Sequence, residues 1–235
     1  MRPIILLTLT LLTLFGVAMP AQQALDPLKV DPPHYTLEVD NPWTRVFREH
    51  MGPHDTMLMH QHPLPGSVIV FLTDRHNRLT YPDGTFREFS NHASELMWSA
   101  ATSHRSENLD AIQFEAIQIE PRGTAATLAP IEKLDPVTID PQHFHVEFEN
   151  EYARVIRVKV GPHEKLAMHK HPDTKAVIVY LTEQNFQMTE ANGKSAAHHY
   201  KAKQVRFADA TPAHQDENLS DSPMELIRVE LKRAR

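Results

Sequence analysis

An internal duplication is the sequence feature that most limits how this chain can fold. The segment DPPHYTLEVDNPWTRVFREHMGPHDTMLMHQHP, residues 31–63, recurs as DPQHFHVEFENEYARVIRVKVGPHEKLAMHKHP, residues 140–172, at an offset of 109 residues. Of the 33 aligned pairs, 15 are identical. The match continues through residues 68–73 and 177–182, and after Trp98 and Phe207 the offset becomes 110. A single inserted residue is what a surface loop tolerates. The chain is therefore predicted to build one structural unit twice.

The remaining parts of the chain follow from this repeat. Arg2, an apolar run over residues 4–17 and small residues at 18 and 21 are typical of a secretory signal peptide. The run is too short for a membrane-spanning helix, which needs about 20 apolar residues. We predict a signal peptide over residues 1–21 and export to the periplasm or the medium. Copy one is assigned to residues 25–120, a linker to 121–139 and copy two to 140–235.

Composition excludes several classes of partner. The formal net charge is −6 with acidic and basic residues well mixed, so no basic stripe favours binding to nucleic acid. The sequence contains no cysteine, which excludes thiolate ligands and a lipid anchor on cysteine. A small molecule is the expected partner. A homodimer is compatible with the sequence, although no interface is specified.

The pattern of apolar residues and turns predicts an all-β protein. Short β-branched runs are separated by turn signals, including Asp83-Gly84 and Asn192-Gly193, which are typical of hairpins. Gly-Pro-His, at residues 52–54 and 161–163, follows a predicted strand in each copy, and His54 and His163 are interpreted as turn residues. Trp98 and Phe207 are interpreted as core residues. Two small sandwiches or barrels, each with its own core of about 100 residues, fit this pattern.

Each copy repeats a set of three histidines. A His-x-His pair is followed some 42 residues later by a third histidine, which gives His60, His62 and His104 in copy one and His169, His171 and His214 in copy two. Side chains two residues apart on a strand point to the same face, so each pair can converge on one ion. Imidazole is a common ligand of zinc, iron, copper and nickel. The sequence therefore predicts one divalent transition metal per copy, with manganese also a candidate.

These motifs resemble those of the cupin superfamily. Its first motif, Gly-x5-His-x-His-x3,4-Glu-x6-Gly, is represented by the His-x-His pairs after Gly52 and Gly161, with two extra residues between glycine and histidine. Its second motif is represented by His104 with Asn108 and by His214 with Asn218. The resemblance covers about 200 residues. It implies a two-domain cupin (bicupin): two tandem small β-barrels of the double-stranded β-helix, or jelly-roll, type.

The sequence departs from the cupin pattern at the glutamate. Gly66 and Ser67 stand at that place in copy one, and Lys175 and Ala176 in copy two. The site would then resemble the three-histidine minority of cupins, which includes dioxygenases that use non-haem iron. Loss of an anionic ligand vacates a coordination position and favours an anionic substrate on the metal. The alternative is a cupin barrel that has lost its ion.

Further residues are candidates for supporting or substrate-binding roles. Glu107 and Asn108, with Glu217 and Asn218 in copy two, were candidates for orienting the third histidine by hydrogen bonds. Candidates for contact with substrate are Ser67, Lys175, Arg48 and Arg157, the two arginines being interpreted more simply as exposed strand residues. Two functions follow as hypotheses: an exported metal-dependent enzyme of the oxygenase or isomerase type acting on a small anionic molecule, or a non-catalytic protein that binds a small ligand or a metal.

Overall fold

The fold is known from a computed structural model that describes residues 25–123, 126 and 133–233. Within these ranges the chain is almost entirely β, as predicted. The predicted signal peptide lies outside the described residues, as does part of the predicted linker. No helix in the described ranges has the length and apolar character needed to cross a membrane.

Copy one consists of a short helix and nine strands. The helix is α1 (Pro27–Val30), followed by a 3₁₀ turn at Pro32–His34. The strands are β1 (Tyr35–Asp40), β2 (Thr44–Met51), β3 (His60–Gln61), β4 (Gly66–Phe71), β5 (Arg75–Thr80), β6 (Phe86–Asn91), β7 (Leu96–Ala100), β8 (Ser103–Asn108) and β9 (Phe114–Pro121). A five-stranded sheet in the order β1-β2-β9-β4-β7 faces a four-stranded sheet in the order β3-β8-β5-β6.

Copy two repeats this arrangement. Its helix α2 (Pro136–Ile139) stands at the same offset from α1 as the repeat, so the duplication extends into the segment assigned to the linker. The strands are β10 (Phe144–Glu149), β11 (Ala153–Val160), β12 (Ala176–Tyr180), β13 (Gln184–Glu190), β14 (Ser195–Tyr200), β15 (Val205–Ala208), β16 (His214–Asn218) and β17 (Met224–Leu231). The sheets are β10-β11-β17-β12-β15 and β14-β13-β16. Two tandem β-barrels of jelly-roll type are thereby confirmed.

The predicted turns are present. The hairpin between β5 and β6 turns at Gly84, with φ of 84°, and the one between β13 and β14 turns at Gly193, with φ of 87°. Both values lie in the left-handed region that glycine enters without a steric penalty. His54 and His163 also have positive φ, 55° and 58°, which confirms their place in the turn after Gly-Pro.

The hydrophobic core differs from the prediction of one core per copy. The central strands of the two five-stranded sheets, such as β4, β9 and β12, are buried on both faces, and their outward side chains belong to a single cluster that includes residues of both copies. Val46, Val68 and Ile119 of copy one lie in this cluster with Val155 and Val229 of copy two. Trp98 and Phe207 pack against it, in agreement with the prediction. The two barrels therefore share a third apolar layer, in addition to their own interiors.

Arg48 and Arg157 belong to this junction and not to a substrate site, which corrects their candidate role. Arg48 pairs with Glu38 and Glu115, and its guanidinium donates to the backbone carbonyl of Lys203 in copy two. Arg157 pairs with Glu147 and Glu225 and donates to the carbonyl of Ser94 in copy one. Both side chains alternate away from the barrel interior. The reciprocal contacts bind each copy to the other.

Candidate metal centres and their cavities

The structure brings together the three histidines of each copy. In copy one His60 on β3 is the register partner of His104 on β8, and His62 follows two residues later on the same face. The three rings are buried, with centroids 4.8, 4.6 and 5.5 Å apart. In copy two His169 bridges to His214, and the corresponding distances with His171 are 5.0, 4.4 and 5.9 Å. One nitrogen from each ring lies within 4.8 Å of the others in both groups.

Hydrogen bonds at Nδ1 orient most of these rings. Nδ1 of His60 donates to the carbonyl of Leu58 (2.7 Å), and Nδ1 of His169 donates to the carbonyl of Ala167 (2.9 Å). Nδ1 of His214 donates in the same way to the carbonyl of Pro212 (2.8 Å). A carbonyl can only accept, so Nδ1 carries the proton and Nε2 keeps its free lone pair. This is the tautomer required for a metal bound through Nε2.

The middle histidine of each set is held by a buried glutamate. Nδ1 of His62 lies 3.1 Å from Glu120 Oε1 and 2.7 Å from the side-chain amide of Gln118. Nδ1 of His171 donates to Glu230 Oε1 at 2.9 Å. A carboxylate behind a metal-binding imidazole fixes its orientation and raises its basicity. Neither glutamate was among the predicted residues, although Glu120 has the same strand parity as the inward-facing Gln118.

The glutamates predicted for this role lie elsewhere. Glu107 pairs with Arg78 at 3.4 Å, and Glu217 pairs with Lys165 at 3.5 Å, both near the surface. The physical reason is strand alternation: a residue three positions after the histidine of β8 or β16 points to the opposite face. Their predicted contact with the third histidine is therefore wrong.

Asn108 and Asn218 share the face of the third histidine but brace loops instead of it. The Asn108 amide donates to the carbonyls of Gly52 (2.9 Å) and Ile112 (2.8 Å), and Asn218 makes the equivalent pair of bonds in copy two. Both asparagines are almost fully buried. They hold the Gly-Pro-His turn against the loop before the last strand. Their support of the histidines is thus indirect, through the frame of the barrel.

Burial keeps the histidines neutral. Desolvation lowers the pKa of His60 and of His169 to about 4, and it also lowers the pKa of His104, His171 and His214. At neutral pH these imidazoles are unprotonated, which is the form that binds a metal. Ligand bonds of 2.0–2.2 Å need nitrogen pairs no more than about 4.4 Å apart, so modest ring rotations suffice. The residues present fit a divalent transition metal in each copy.

Copy one opens onto a cavity of about 230 Å³. The polar residues that line it with His62 and His104 include Tyr35, Glu49, Arg75, Asn77, Ser106 and Gln118. Tyr35 donates its hydroxyl to Nε2 of His60 at 2.9 Å, and a metal bound at that nitrogen would take the place of this hydrogen bond. Glu49 is 8% exposed, and burial raises the pKa of its carboxyl. Neither residue was predicted, because both lie on strands distant in sequence from the histidines.

Copy two opens onto a smaller cavity of about 110 Å³ with a different lining. Phe144 stands at the position of Tyr35 in the repeat, and Val158 stands at that of Glu49. Arg228 replaces Gln118, and it is buried beside Glu230. The two copies therefore keep the same histidines but surround them with different chemistry.

Ser67 and Lys175, two of the candidates for contact with substrate, lie in different surroundings. Ser67 is buried and accepts a hydrogen bond from the Gln118 amide at 2.9 Å, so it braces the residue beside His62. Lys175 pairs with Asp209 near the surface. Lys175 is not among the residues that line the copy-two cavity, so the structure does not place this candidate in contact with a substrate there. The carboxylate that faces the copy-one cavity is Glu49, contributed by β2.

Comparisons with known proteins establish the fold. No family model matches the sequence, and no curated protein matches it. Among solved structures, AerE from Microcystis aeruginosa is 16% identical with a TM-score of 0.58, over 85% of this chain and 93% of that one. A cupin 2 conserved barrel domain protein from Leptotrichia buccalis is 10% identical (TM-score 0.53; 84% and 88% covered). Oxalate decarboxylase from Bacillus subtilis, described with Mn(II) centres, is 11% identical (TM-score 0.56; 86% and 76% covered).

At these identities the similarity concerns the fold, which is that of cupin-domain proteins. The chain adds to this fold a three-histidine group in each of its two β-domains. Fold alone does not assign an activity, since cupins host many unrelated functions.

Proposed function

We propose that the protein is an exported metal-dependent enzyme whose reactive centre is the copy-one cavity, where His60, His62 and His104 hold one divalent transition metal. The observation that carries this proposal is the presence of Tyr35 and Glu49 in the same cavity as these histidines. An enzyme needs groups that can move protons near the reacting atoms, and a simple metal-binding site does not. Copy two lacks both residues.

The charges of the cavity favour a small anionic organic substrate. Arg75 is 8% exposed, lies over the Phe71 ring at 4.4 Å, and has no hydrogen-bond partner for its Nε among the described residues. Burial lowers its pKa to about 10, so it remains a cation at neutral pH. An anionic group of the substrate would meet Arg75 on one side and the metal on the other. The volume of about 230 Å³ limits the substrate to a small molecule.

The chain's own residues have distinct roles in this proposal. A bound metal would act as a Lewis acid toward substrate or dioxygen. Tyr35 is positioned to donate its hydroxyl proton beside His60, and Glu49, with its raised pKa, is positioned to accept a proton from the substrate. Glu120 accepts a hydrogen bond from Nδ1 of His62, and the Gln118 side chain lies beside that nitrogen. Iron or manganese is the preferred metal of the proposal, because both suit oxygenase-type chemistry with imidazole ligands.

Elemental analysis of protein purified without a histidine tag tests the metal. Wild type is expected to hold metal in both copies, and His62→Ala and His171→Ala are each expected to lose the metal of one copy. Turnover, measured as dioxygen consumption or product formation on small acids, diketones, thiols and phenols, should disappear in His62→Ala. It should persist in His171→Ala, the matched control. Metal-loaded wild type with no turnover on any of these classes would contradict the proposal.

A non-catalytic role is the second candidate, and the replacement of Tyr35 and Glu49 in copy two favours it for that copy. Phe144 and Val158 leave no proton-transfer group at the positions of Tyr35 and Glu49. If the whole chain were a binding protein, a ligand would bind saturably to both copies and remain unchanged by mass spectrometry.

Export and assembly are further parts of the proposal. Determination of the N-terminus of protein recovered from the periplasm or medium tests cleavage near residues 18–21. A homodimer would have to use a surface other than the five-stranded sheets, because these sheets already pack against each other within one chain. Sedimentation equilibrium measures whether such a dimer exists.

A further inference from the structure

The cavity of copy two has a different charge from that of copy one. Beside its histidines it is lined by two arginines and one aspartate, Arg206, Arg228 and Asp216. The charged residues that line the copy-one cavity are one arginine and one glutamate. The repeat places Met97 and Gln118 of copy one at the positions of Arg206 and Arg228. Copy two has therefore gained positive charge at inward-facing positions, next to an intact histidine group.

The guanidinium of Arg228 is only partly satisfied by hydrogen bonds. Its side chain is 6% exposed, and Nε donates to Glu230 Oε1 at 3.3 Å. Nη2 is buried and has no hydrogen-bond partner in the described part of the chain. An unpaired buried donor destabilises a fold, more so when it is charged. The guanidinium is one of the groups that line the cavity, together with Arg206 and Asp216, and its planar fork matches a carboxylate.

The apolar wall and the volume of the copy-two cavity limit the size and polarity of a ligand that could bind there. Phe144, Val158, Ile178 and Leu226 form an apolar wall around the space that Arg228 faces. The volume of about 110 Å³ equals that of about four waters at 30 Å³ each. This space suits a ligand of about six non-hydrogen atoms with one charged end and a short apolar tail.

We propose that the cavity of copy two is a binding site for a short-chain monocarboxylate, whose carboxylate is held by Arg228 with Arg206 nearby and whose alkyl tail lies against Phe144 and Val158. This site is separate from the proposed reactive centre in copy one. It does not require a metal, since the guanidinium edge alone supplies the carboxylate contact. The protein would then react with one anion in copy one and bind another in copy two.

Isothermal titration calorimetry of the chelator-treated full chain with acetate, propionate, butyrate and hexanoate tests the proposal. Removal of metal leaves Arg228 as the recognising group. A ligand of this size reaches an affinity on the order of 1 mM, and affinity should rise to propionate or butyrate and fall for hexanoate, which exceeds the cavity. Sulfate and phosphate are the comparison anions, and they should bind at least about tenfold more weakly because they leave the apolar wall unfilled.

Matched variants come from the repeat itself. Arg228→Gln installs the residue of copy one and should weaken propionate binding at least about tenfold, the effect of losing a charge-assisted hydrogen bond. Arg87→Gln, on the exposed part of β6 and outside both cavities, is the charge-matched control and should change the affinity less than about twofold. Arg75→Gln installs the residue of copy two, Gln184, in the other cavity and shows whether the carboxylate binds there instead. Circular dichroism and metal uptake by copy two verify that Arg228→Gln remains folded.

Three results would overturn the proposal: no saturable binding to wild type up to about 10 mM, equal binding by Arg228→Gln, or sulfate binding as tightly as propionate. Loss of binding in Arg75→Gln with retention in Arg228→Gln would assign the carboxylate to copy one and also refute it. Loss of copy-one turnover in His62→Ala is a separate measurement. Failure of the enzyme proposal therefore cannot be mistaken for failure of this one.

Discussion

Acidification should destabilise the metal-free protein through its buried histidines. Burial lowers the pKa of His60 and His169 from 6.5 to about 4. Between these pH values the unfolded chain binds a proton at each position and the folded protein does not. The free energy of unfolding is therefore unaffected well above pH 6.5, falls as the pH drops toward 4, and reaches its full loss below that value.

The magnitude follows from the same pKa shifts. Full protonation of the unfolded state costs about 3 kcal/mol of stability per histidine, at 1.36 kcal/mol per pH unit. Between pH 7 and pH 5 the loss is about 2 kcal/mol for each and about 4 kcal/mol for both. Solvent does not screen these two side chains, since His60 is 0% exposed and His169 is 1% exposed.

Urea unfolding of chelator-treated protein, followed by tryptophan fluorescence at pH 7 and pH 5, measures this loss. His60→Asn combined with His169→Asn is the matched control, because asparagine can still donate to the carbonyls of Leu58 and Ala167 but does not titrate. Groups outside the two histidine sets titrate equally in both proteins, so the difference between wild type and variant reports the two histidines together with their effect on His104 and His171. If both lost the same free energy on acidification, the argument from burial would be refuted.

Three further predictions concern the retention of metal, the reactive centre and the stability of the barrel backbone. Metal-loaded protein should keep its metal at pH 6 and release it as the pH approaches about 4, because the lowered pKa of His60 makes protons weaker competitors of the metal for this imidazole. Elemental analysis after dialysis at each pH measures how much metal is retained. Tyr35→Phe, which installs the copy-two residue, should leave metal content unchanged and lower turnover at least about tenfold, measured as kcat at equal metal occupancy. Gly66→Ala should cost about 3 kcal/mol or more by urea unfolding, because φ is +129° and the added Cβ would lie 2.4 Å from the carbonyl oxygen of Ser99; Gly84→Ala, with positive φ but open space, should cost about 1 kcal/mol.

The positions of the histidines could be predicted because they depend on local rules. Strand alternation places His60 and His62 on one face, and the repeat identifies the third histidine at the same distance in both copies. Strand alternation also places Glu120 on the same inward face of β9 as Gln118, two residues earlier. The prediction for Glu107 failed because nearness in sequence to His104 was given more weight than strand parity.

The cavity residues and the shared core could not be predicted in this way. Tyr35 lies 25 residues before the histidine it contacts, and its position depends on how β1 closes the barrel. Val68 and Val70 alternate with inward residues on a strand that is apolar on both faces, which indicates a second buried surface. Which surface covers them is a property of the whole chain. Only the packed structure shows that it is the other copy.

The shared core offers a physical reason why the residues that line the two cavities differ while the strands of the two barrels remain alike. On β2 and β11, outward residues such as Val46 and Val155 pack between the copies, so a change there disturbs both halves at once. Inward residues such as Glu49 and Val158 touch only their own cavity and can change independently. Substitution is thereby confined to the faces that determine chemistry. A duplicated barrel packed in this way can keep one half reactive while the other becomes a binding site.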